Sequence, residues 1–292
     1  MTIAIFGSPY PDQFTKYIQH LIKKLESEHI KIIVEEEFNS FLQSNIRFTN
    51  KIETFNSYDS LKGSADLLFS IGGDGTLLKT VTFVRESNIP IMGINTGRLG
   101  FISSISAGQI DDAVNDILKK NYKISERTLL ELNTENQLFK NKNFALNEVA
   151  ISKKDTSSMV RIDAYVDDEF LNTYWADGLV VSTPTGSTGY SLSCGGPIIM
   201  PGTNNIIITP NAPHNLNVRP IVINDRSTIK LKVEDRDQLA LVSLDSRSRA
   251  FDSDTELIIK KADFKIRLIQ PQNNSFASTI RNKLMWGLDK RT

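Results

Sequence analysis

Residues 65 to 76 read ADLLFSIGGDGT, an apolar run that stops abruptly on Gly72-Gly73-Asp74-Gly75-Thr76. Residues 67 to 71 are apolar apart from Ser70, the texture of a strand buried on both faces of a parallel sheet. Leu77, Leu78, Val81 and Val84 then recur at near-helical spacing, with Thr76 placed to cap a helix starting there. Strand, glycine turn and helix in succession form the place where α/β proteins hold phosphates.

Glycine lets a ligand approach the backbone, and amides at such a turn point at anions. An aspartate there needs a reason. A carboxylate repels phosphate oxygens unless it binds a metal, accepts a hydroxyl proton, or does both. The alternative is a tight turn in which Asp74 only caps the helix.

Working outward, residues 89 to 94 (IPIMGI) predict a further strand, followed by a second glycine loop, Asn95-Thr96-Gly97-Arg98-Leu99-Gly100-Phe101. Two such loops at consecutive strand ends fit a site at the carboxyl edge of a parallel sheet. Arg98 either reaches phosphate or stands solvated. Upstream, residues 2 to 6 and 30 to 34 read as strands around a helix carrying Tyr17, Ile18, Leu21, Ile22 and Leu25. Gly7 has no GxGxxG around it, and GxxxxGK[ST] occurs nowhere. Residues 35 to 61 read as surface helix and connection with no chemistry assigned, and 109 to 118 as an amphipathic helix closing the first domain.

From about Tyr122 the pattern shifts to short runs at 127 to 133, 144 to 151, 160 to 166, 179 to 183, 206 to 209, 220 to 223, 228 to 233, 239 to 244, 256 to 260 and 264 to 269. The expected fold is therefore an α/β domain with a parallel sheet over 1 to 121 and a β-rich domain, sandwich or stacked sheets, over 122 to 274. Residues 278 to 287, STIRNKLMWG, read as a helix; the segment 275 to 292 is expected to pack back on the first domain.

Composition narrows the chemistry. Lys plus Arg equals Asp plus Glu at 34 each, so no global field draws in nucleic acid or an acidic membrane, and any anion site is local. Cys194 is the single cysteine, excluding an intramolecular disulfide and a Cys-rich zinc cluster. His20, His29 and His214 sit in no metal-ligand spacing, so no protein metal site is expected. The first residues lack a charged leader with a long apolar core, and no stretch approaches the ~18 apolar residues of a membrane span, which suggests a cytoplasmic protein.

In the second half, Asn147-Glu148 interrupts the apolar run FALNEVAI; an amide beside a carboxylate suits ribose hydroxyls, and a surface hairpin position is the alternative. Residues 177 to 198, DGLVVSTPTGSTGYSLSCGGPI, pack glycines among Ser182, Thr183, Thr185, Ser187, Thr188, Ser191 and Ser193, hydroxyls able to bond ligand oxygens without adding charge. Tyr190 is placed to cover an aromatic base. Ala212 sits in a turn open to close ligand approach, and Asp245 ends the run LALVSL as a carboxylate either ligand-facing or structural.

Together GGDGT (72 to 76), NTGRLGF (95 to 101), NE (147 to 148), the long segment 177 to 198, PNAPHNLNVRP and the terminal RNKLMWG resemble the NAD kinase family. GGDGT alone is shared with diacylglycerol and sphingosine kinases; the long segment decides. The resemblance implies phosphoryl transfer from ATP to the 2′-hydroxyl of the adenosine ribose of NAD, with Mg²⁺ or another divalent cation accompanying ATP and a homo-oligomer, dimer or tetramer, as the working form. It makes Asp74 the catalytic base and sets Gly73 and Gly75 against the nucleotide, Lys79 near phosphates and Phe101 on the adenine side. It gives Asn147 and Glu148 the ribose hydroxyls. Asp177, Thr185, Thr188, Gly189, Tyr190, Ser191, Leu192 and Ser193 would line the dinucleotide pocket, closed by Ala212 and Asp245. Ser246 and Arg247 depart from the Gly and Gln common after this aspartate, and Gly189 stands where many relatives carry Ala. Two other readings are a GGDGT-type lipid kinase, for which no basic amphipathic helix is seen, and a non-catalytic NAD(H) sensor, against which Asp74 speaks.

Overall fold

The run at 67 to 71 forms the strand Leu67–Ile71, buried along its whole length. In the computed structural model, which describes residues 1–97, 100–103, 105–154, 159–234, 239–272 and 275–285, it lies inside a parallel sheet. Across that sheet the order is Glu53–Phe55, Lys31–Glu35, Thr2–Gly7, Leu67–Ile71, Ile91–Asn95 and the end of Leu257–Pro271, where Leu268 faces Ile91. The chain divides into two compact units, Met1–Glu126 with Ile266–Thr292, and Arg127–Lys265.

In the first unit both sheet faces are buried, which is why its strands read as continuous apolar runs. The helix Thr15–Ser27 buries Ile18, Leu21, Ile22 and Leu25, and Ile110–Leu118 buries Ile110, Ala113, Val114 and Ile117, all in one cluster with Ile3, Ile5, Phe69 and Ile71. Each such side chain contributes roughly 1.5–3 kcal/mol. The helix Asp74–Val84 covers the other face: Thr80 donates to the Ser70 hydroxyl at 2.8 Å and to the Thr76 carbonyl. The Phe276–Leu284 helix belongs to this unit, and the Lys283 ammonium lies 5.3 Å from the centre of the Phe101 ring. Arg98 and Trp286 lie outside the described residues.

Strand order positions the site. From Thr2–Gly7 the chain moves outward to Lys31–Glu35 and Glu53–Phe55, then returns on the opposite side as Leu67–Ile71. The order therefore reverses between Thr2–Gly7 and Leu67–Ile71, and ligands of open α/β sheets bind in the crevice at such a reversal. Helix Asp74–Val84 starts earlier than the predicted Thr76. Its N-cap is Gly73, with no side-chain cap, and the Thr76 hydroxyl instead donates to Ser8 Oγ at 3.0 Å across the reversal point.

The second unit stacks two antiparallel sheets. One runs Glu169–Ala176, Val160–Val166, Ile229–Glu234 and the start of Leu257–Pro271. The other runs Ile221–Asn224, Asn205–Asn211, Gly178–Ser182, Glu148–Lys153, Leu239–Leu244 and Arg247–Asp252. Val160, Ile162, Leu231 and Val233 of the first meet Val149, Ile151, Val181 and Val242 of the second in one core. Two expectations change. The run at 144 to 151 breaks into Phe144–Ala145 and Glu148–Lys153, and the runs at 256 to 260 and 264 to 269 form the single strand Leu257–Pro271. Glu169–Ala176 and Arg247–Asp252 escape the sequence pattern because both are edge strands, where exposed and charged residues replace clean alternation.

Candidate functional site

Asp74 opens its helix, but its carboxylate turns away from the helix amides. Oδ2 accepts from the Phe101 amide at 2.7 Å, while Oδ1 accepts from Ile102 at 3.2 Å and Ser103 at 2.9 Å. A carboxylate has room for about four donors, so one acceptor position on Oδ2 stays open. The second glycine loop is thus tied to the first by this side chain. Gly100 makes the tie possible: a Cβ there would land inside the Asp74 carboxylate. Gly73 and Gly75, by contrast, face open space where a ligand can come against the backbone.

A cavity of about 470 Å³ opens beside this turn, at the carboxyl ends of Thr2–Gly7 and Lys31–Glu35. Ser8, Glu36, Phe38, Phe41, Asn56 and Lys79 line it. Lys79, from the Asp74–Val84 helix, brings positive charge to one wall, while Asn56 donates to Glu36 at 3.0 Å on another. The sequence reading missed residues 35 to 56 as wall residues. The signal that could have found them is the reversal of strand order, which is visible only once the strands are paired.

In the second unit Asp245 repeats the Asp74 arrangement. Its Oδ2 accepts from the Leu146 amide at 3.0 Å, and its Oδ1 from Asn147 at 2.8 Å and Glu148 at 3.3 Å. These bonds lie at the break in the predicted run at 144 to 151, where Leu146 and Asn147 leave the strand and Glu148 begins the next one. Asp245 sits at φ 53°, in the two-residue turn joining Leu239–Leu244 to Arg247–Asp252. Arg247, at the position that departs from the family pattern, donates to the Lys142 and Phe144 carbonyls and lies over the Phe144 ring, so it serves the scaffold.

The pair so positioned carries unmet demand: Asn147 Oδ1 and Glu148 Oε2 are buried with no hydrogen-bond partner. Two sealed polar oxygens side by side ask for partners such as hydroxyls, which can both donate and accept. Burial, and then the charge of Asp245, push the Glu148 carboxyl up to about 8, with the Tyr190 amide working against them. Burial pushes Asp245 up as well, opposed by its three amides and Arg247.

The hydroxyl-rich segment is largely occupied with itself. Thr183 donates to the Leu146 carbonyl at 2.6 Å, Ser187 to Pro184 at 2.7 Å and Thr188 to Thr185 at 3.2 Å; Ser191, fully buried, pairs with Thr209 at 2.9 Å. Gly186 packs so closely that a Cβ would overlap the Asn147 carbonyl. The segment is therefore a clamp on Asn147-Glu148. Gly189 approaches the Glu148 carboxylate and the Asn147 amide, and Tyr190, 39% exposed, presents its ring while its hydroxyl accepts from Asn211. Asp177 pairs with Lys153 at 2.6 Å; Ser193 and Ala212 are exposed, Leu192 half-buried and Thr185 buried. Asn147, Glu148, Gly189 and Tyr190 thus come together, whereas Ser191 points into the core.

Residues 3–122 match the ATP-NAD kinase N-terminal domain and residues 146–271 the ATP-NAD kinase C-terminal domain. The chain is 48% identical to the NAD kinase of Cytophaga hutchinsonii over 292 residues and 43% identical to that of Bacteroides fragilis over 291, covering 100% of this chain and of each relative. Among solved structures, yeast NADH kinase complexed with NADH superposes with a TM-score of 0.88 at 24% identity, covering 99% of this chain and 89% of that one. An NAD kinase from Archaeoglobus fulgidus in complex with ATP gives 0.74 at 25% identity, covering 98% and 99%.

Proposed function

The chain belongs to the ATP-NAD kinase family, and on that premise we propose how its residues divide the ATP-dependent phosphorylation of NAD to NADP. The first unit supplies the base and the donor site. Asp74 takes the proton of the ribose 2′-hydroxyl on its open Oδ2 position as that oxygen bonds to the γ-phosphorus of ATP and ADP leaves. The amides at Gly73 and Gly75 receive phosphate oxygens, and the cavity at Lys79 holds the donor, phosphates toward Lys79 and the nucleoside toward Phe38 and Phe41. The second unit supplies the acceptor site. Asn147 and Glu148 bind ribose hydroxyls, Tyr190 covers the base, and Asp177, Thr185, Thr188, Gly189, Leu192, Ser193 and Ala212 complete the nucleotide contacts, with Asp245 and Ser191 holding the frame.

The observation that carries this reading is the pair of buried, unpartnered oxygens on Asn147 and Glu148. Among the described residues no group of three or more His, Cys, Asp or Glu could hold a metal. Mg²⁺ would be carried in on the donor phosphates and would offset their charge there. A cytoplasmic location is part of the proposal; among the described residues no helix is long and apolar enough to cross a membrane. So is a homo-oligomer, dimer or tetramer. Phe170 and Trp175 on one edge strand, 55% and 45% exposed, and Val222 on another, 41% exposed, offer apolar surface to a second copy.

The test is purified protein with NAD, ATP and Mg²⁺, read by an NADP-specific dehydrogenase. Glu148→Gln is expected to raise KM for NAD and leave KM for ATP nearly unchanged, and Lys79→Ala to do the reverse. Equal effects on both substrates would remove the proposed division.

A further inference from the structure

At the carboxyl edge of the parallel sheet, Lys31–Glu35 and Glu53–Phe55 pair as far as Glu35 with Phe55. The next residue on each chain segment, Glu36 and Asn56, lines the cavity beside Lys79, and the Asn56 amide donates to Glu36 Oε2 at 3.0 Å. Among the described residues the Glu36 carboxylate accepts no other bond, which leaves most of its roughly four acceptor positions open. Its neighbour Glu35 is spent: buried, it accepts from the Phe38 amide at 2.9 Å and caps the helix Glu36–Asn45. The helix start is thus satisfied without the Glu36 side chain, which faces the cavity for some other reason.

We propose that Glu36, held by Asn56, accepts the ribose hydroxyls of the donor nucleotide, and so selects a nucleoside triphosphate over an inorganic polyphosphate. Three observations support that ligand. The first is place: in dinucleotide-binding α/β sheets an acidic residue beyond the first strand, turn and helix takes ribose hydroxyls, and Glu36 directly follows the second strand, Lys31–Glu35. The second is chemistry: a carboxylate only accepts, so a sugar diol with two O–H donors matches it, and the bond from Asn56 fixes its orientation. The third is charge. Lys79 brings a positive charge to the same cavity in which Glu36 and Glu37 bring negative ones. A bare chain of phosphates filling these 470 Å³ would meet both carboxylates, whereas a nucleotide sets its phosphates at Lys79 and its neutral sugar at Glu36. The proposal rests on the kinase reading for the donor's presence in this cavity, and on the Glu36–Asn56 pair for the sugar contact.

The experiment compares the full-length wild type with Glu36→Ala and Glu36→Gln, using NAD as acceptor and ATP, 2′,3′-dideoxy-ATP or tripolyphosphate as donor, each with Mg²⁺. For the wild type, KM for dideoxy-ATP is expected about tenfold or more above KM for ATP, and kcat/KM for tripolyphosphate at least as far below that for ATP. Glu36→Ala is expected to raise KM for ATP to the dideoxy-ATP value, with KM for dideoxy-ATP and for NAD unchanged. Glu36→Gln, which keeps an acceptor oxygen and loses the charge, is expected to fall between the two. Equal wild-type KM values for the two nucleotides, tripolyphosphate used as well as ATP, a nucleotide preference that survives Glu36→Ala, or a matching rise in KM for NAD overturns the proposal. If Glu36→Ala does not fold, Glu36→Gln with an undiminished preference overturns it equally. If the wild type forms no NADP from any donor, the kinase reading fails separately, and melting temperature carries the test. A rise with ATP that exceeds the rise with dideoxy-ATP, and loses that excess in Glu36→Ala, supports the sugar contact; equal rises in the wild type overturn it.

Discussion

Asp74 and Asp245 use one device in two places. Each carboxylate gathers three successive backbone amides, 101 to 103 in the first unit and 146 to 148 in the second. The surroundings separate them. Asp74 sits between Gly73 and Gly75, which face open space, whereas Asp245 sits in a hairpin turn beside the scaffold residue Arg247. The same geometry thus sets a carboxylate beside open backbone in one place and fixes a frame in the other. A three-amide carboxylate is not in itself evidence of catalysis; the space around it decides.

The largest effect that sharpens this contrast is expected from Asp74→Asn. Loss of a general base lowers turnover by about 10²- to 10⁴-fold. Stability is expected to fall by only about 1 kcal/mol, because the amide oxygen keeps some of the loop bonds. NADP formation and a melting curve measure the two. Next comes Gly100→Ala, whose methyl displaces the Asp74 carboxylate; a misplacement of this kind is expected to lower kcat by about a hundredfold. Wild-type kcat in that variant would break the link between the two glycine loops.

At Asp245 the order of effects reverses. Asp245→Asn is expected to lose about 1–3 kcal/mol of stability, since buried amides go unsatisfied, and to raise KM for NAD with kcat less affected. A kcat loss as large as that of Asp74→Asn, with stability intact, would merge the two aspartates into one role.

Taken per pH unit, the smallest effect is a pH dependence. The Glu148 carboxyl is raised to about 8 from its ordinary 4.5, so between these values the folded chain holds a proton that the unfolded chain has released. Its contribution to stability is present below the unfolded value and lost as pH rises toward 8, by about 1.4 kcal/mol per pH unit at most. Glu148→Gln is expected to flatten this slope, gaining on the wild type in alkaline urea melts. Parallel pH curves for the two proteins would show that Glu148 ionises normally.

What could be read in advance follows from range. The strand and helix around GGDGT are written locally, in the apolar run and its helical sequel, and the structure places them within a few residues of expectation. The paired stretch Asn147-Glu148 is legible as polar groups inside an apolar run. Its anchor is not: Asp245 lies 98 residues away from Asn147, and no local pattern encodes that bond. The hydroxyls of residues 182 to 193 could not be sorted for the same reason, since a serine reads alike whether it meets a ligand or, as Ser191 does, a threonine from another strand. The wall of the cavity beside Lys79 stayed hidden because it depends on the order in which strands pair.

The single polar residue in Leu67–Ile71 gains meaning here. A helix lying on an otherwise greasy sheet can slide along it at little cost, because apolar contacts are non-directional. The bond from Thr80 to Ser70 is directional, and so selects one setting among several, as a detent stops a sliding bolt. Since the same helix begins at Asp74, the detent also sets how far the carboxylate projects beyond the sheet's edge. One buried hydroxyl pair thereby converts a packing surface into a ruler for the chemistry at its end.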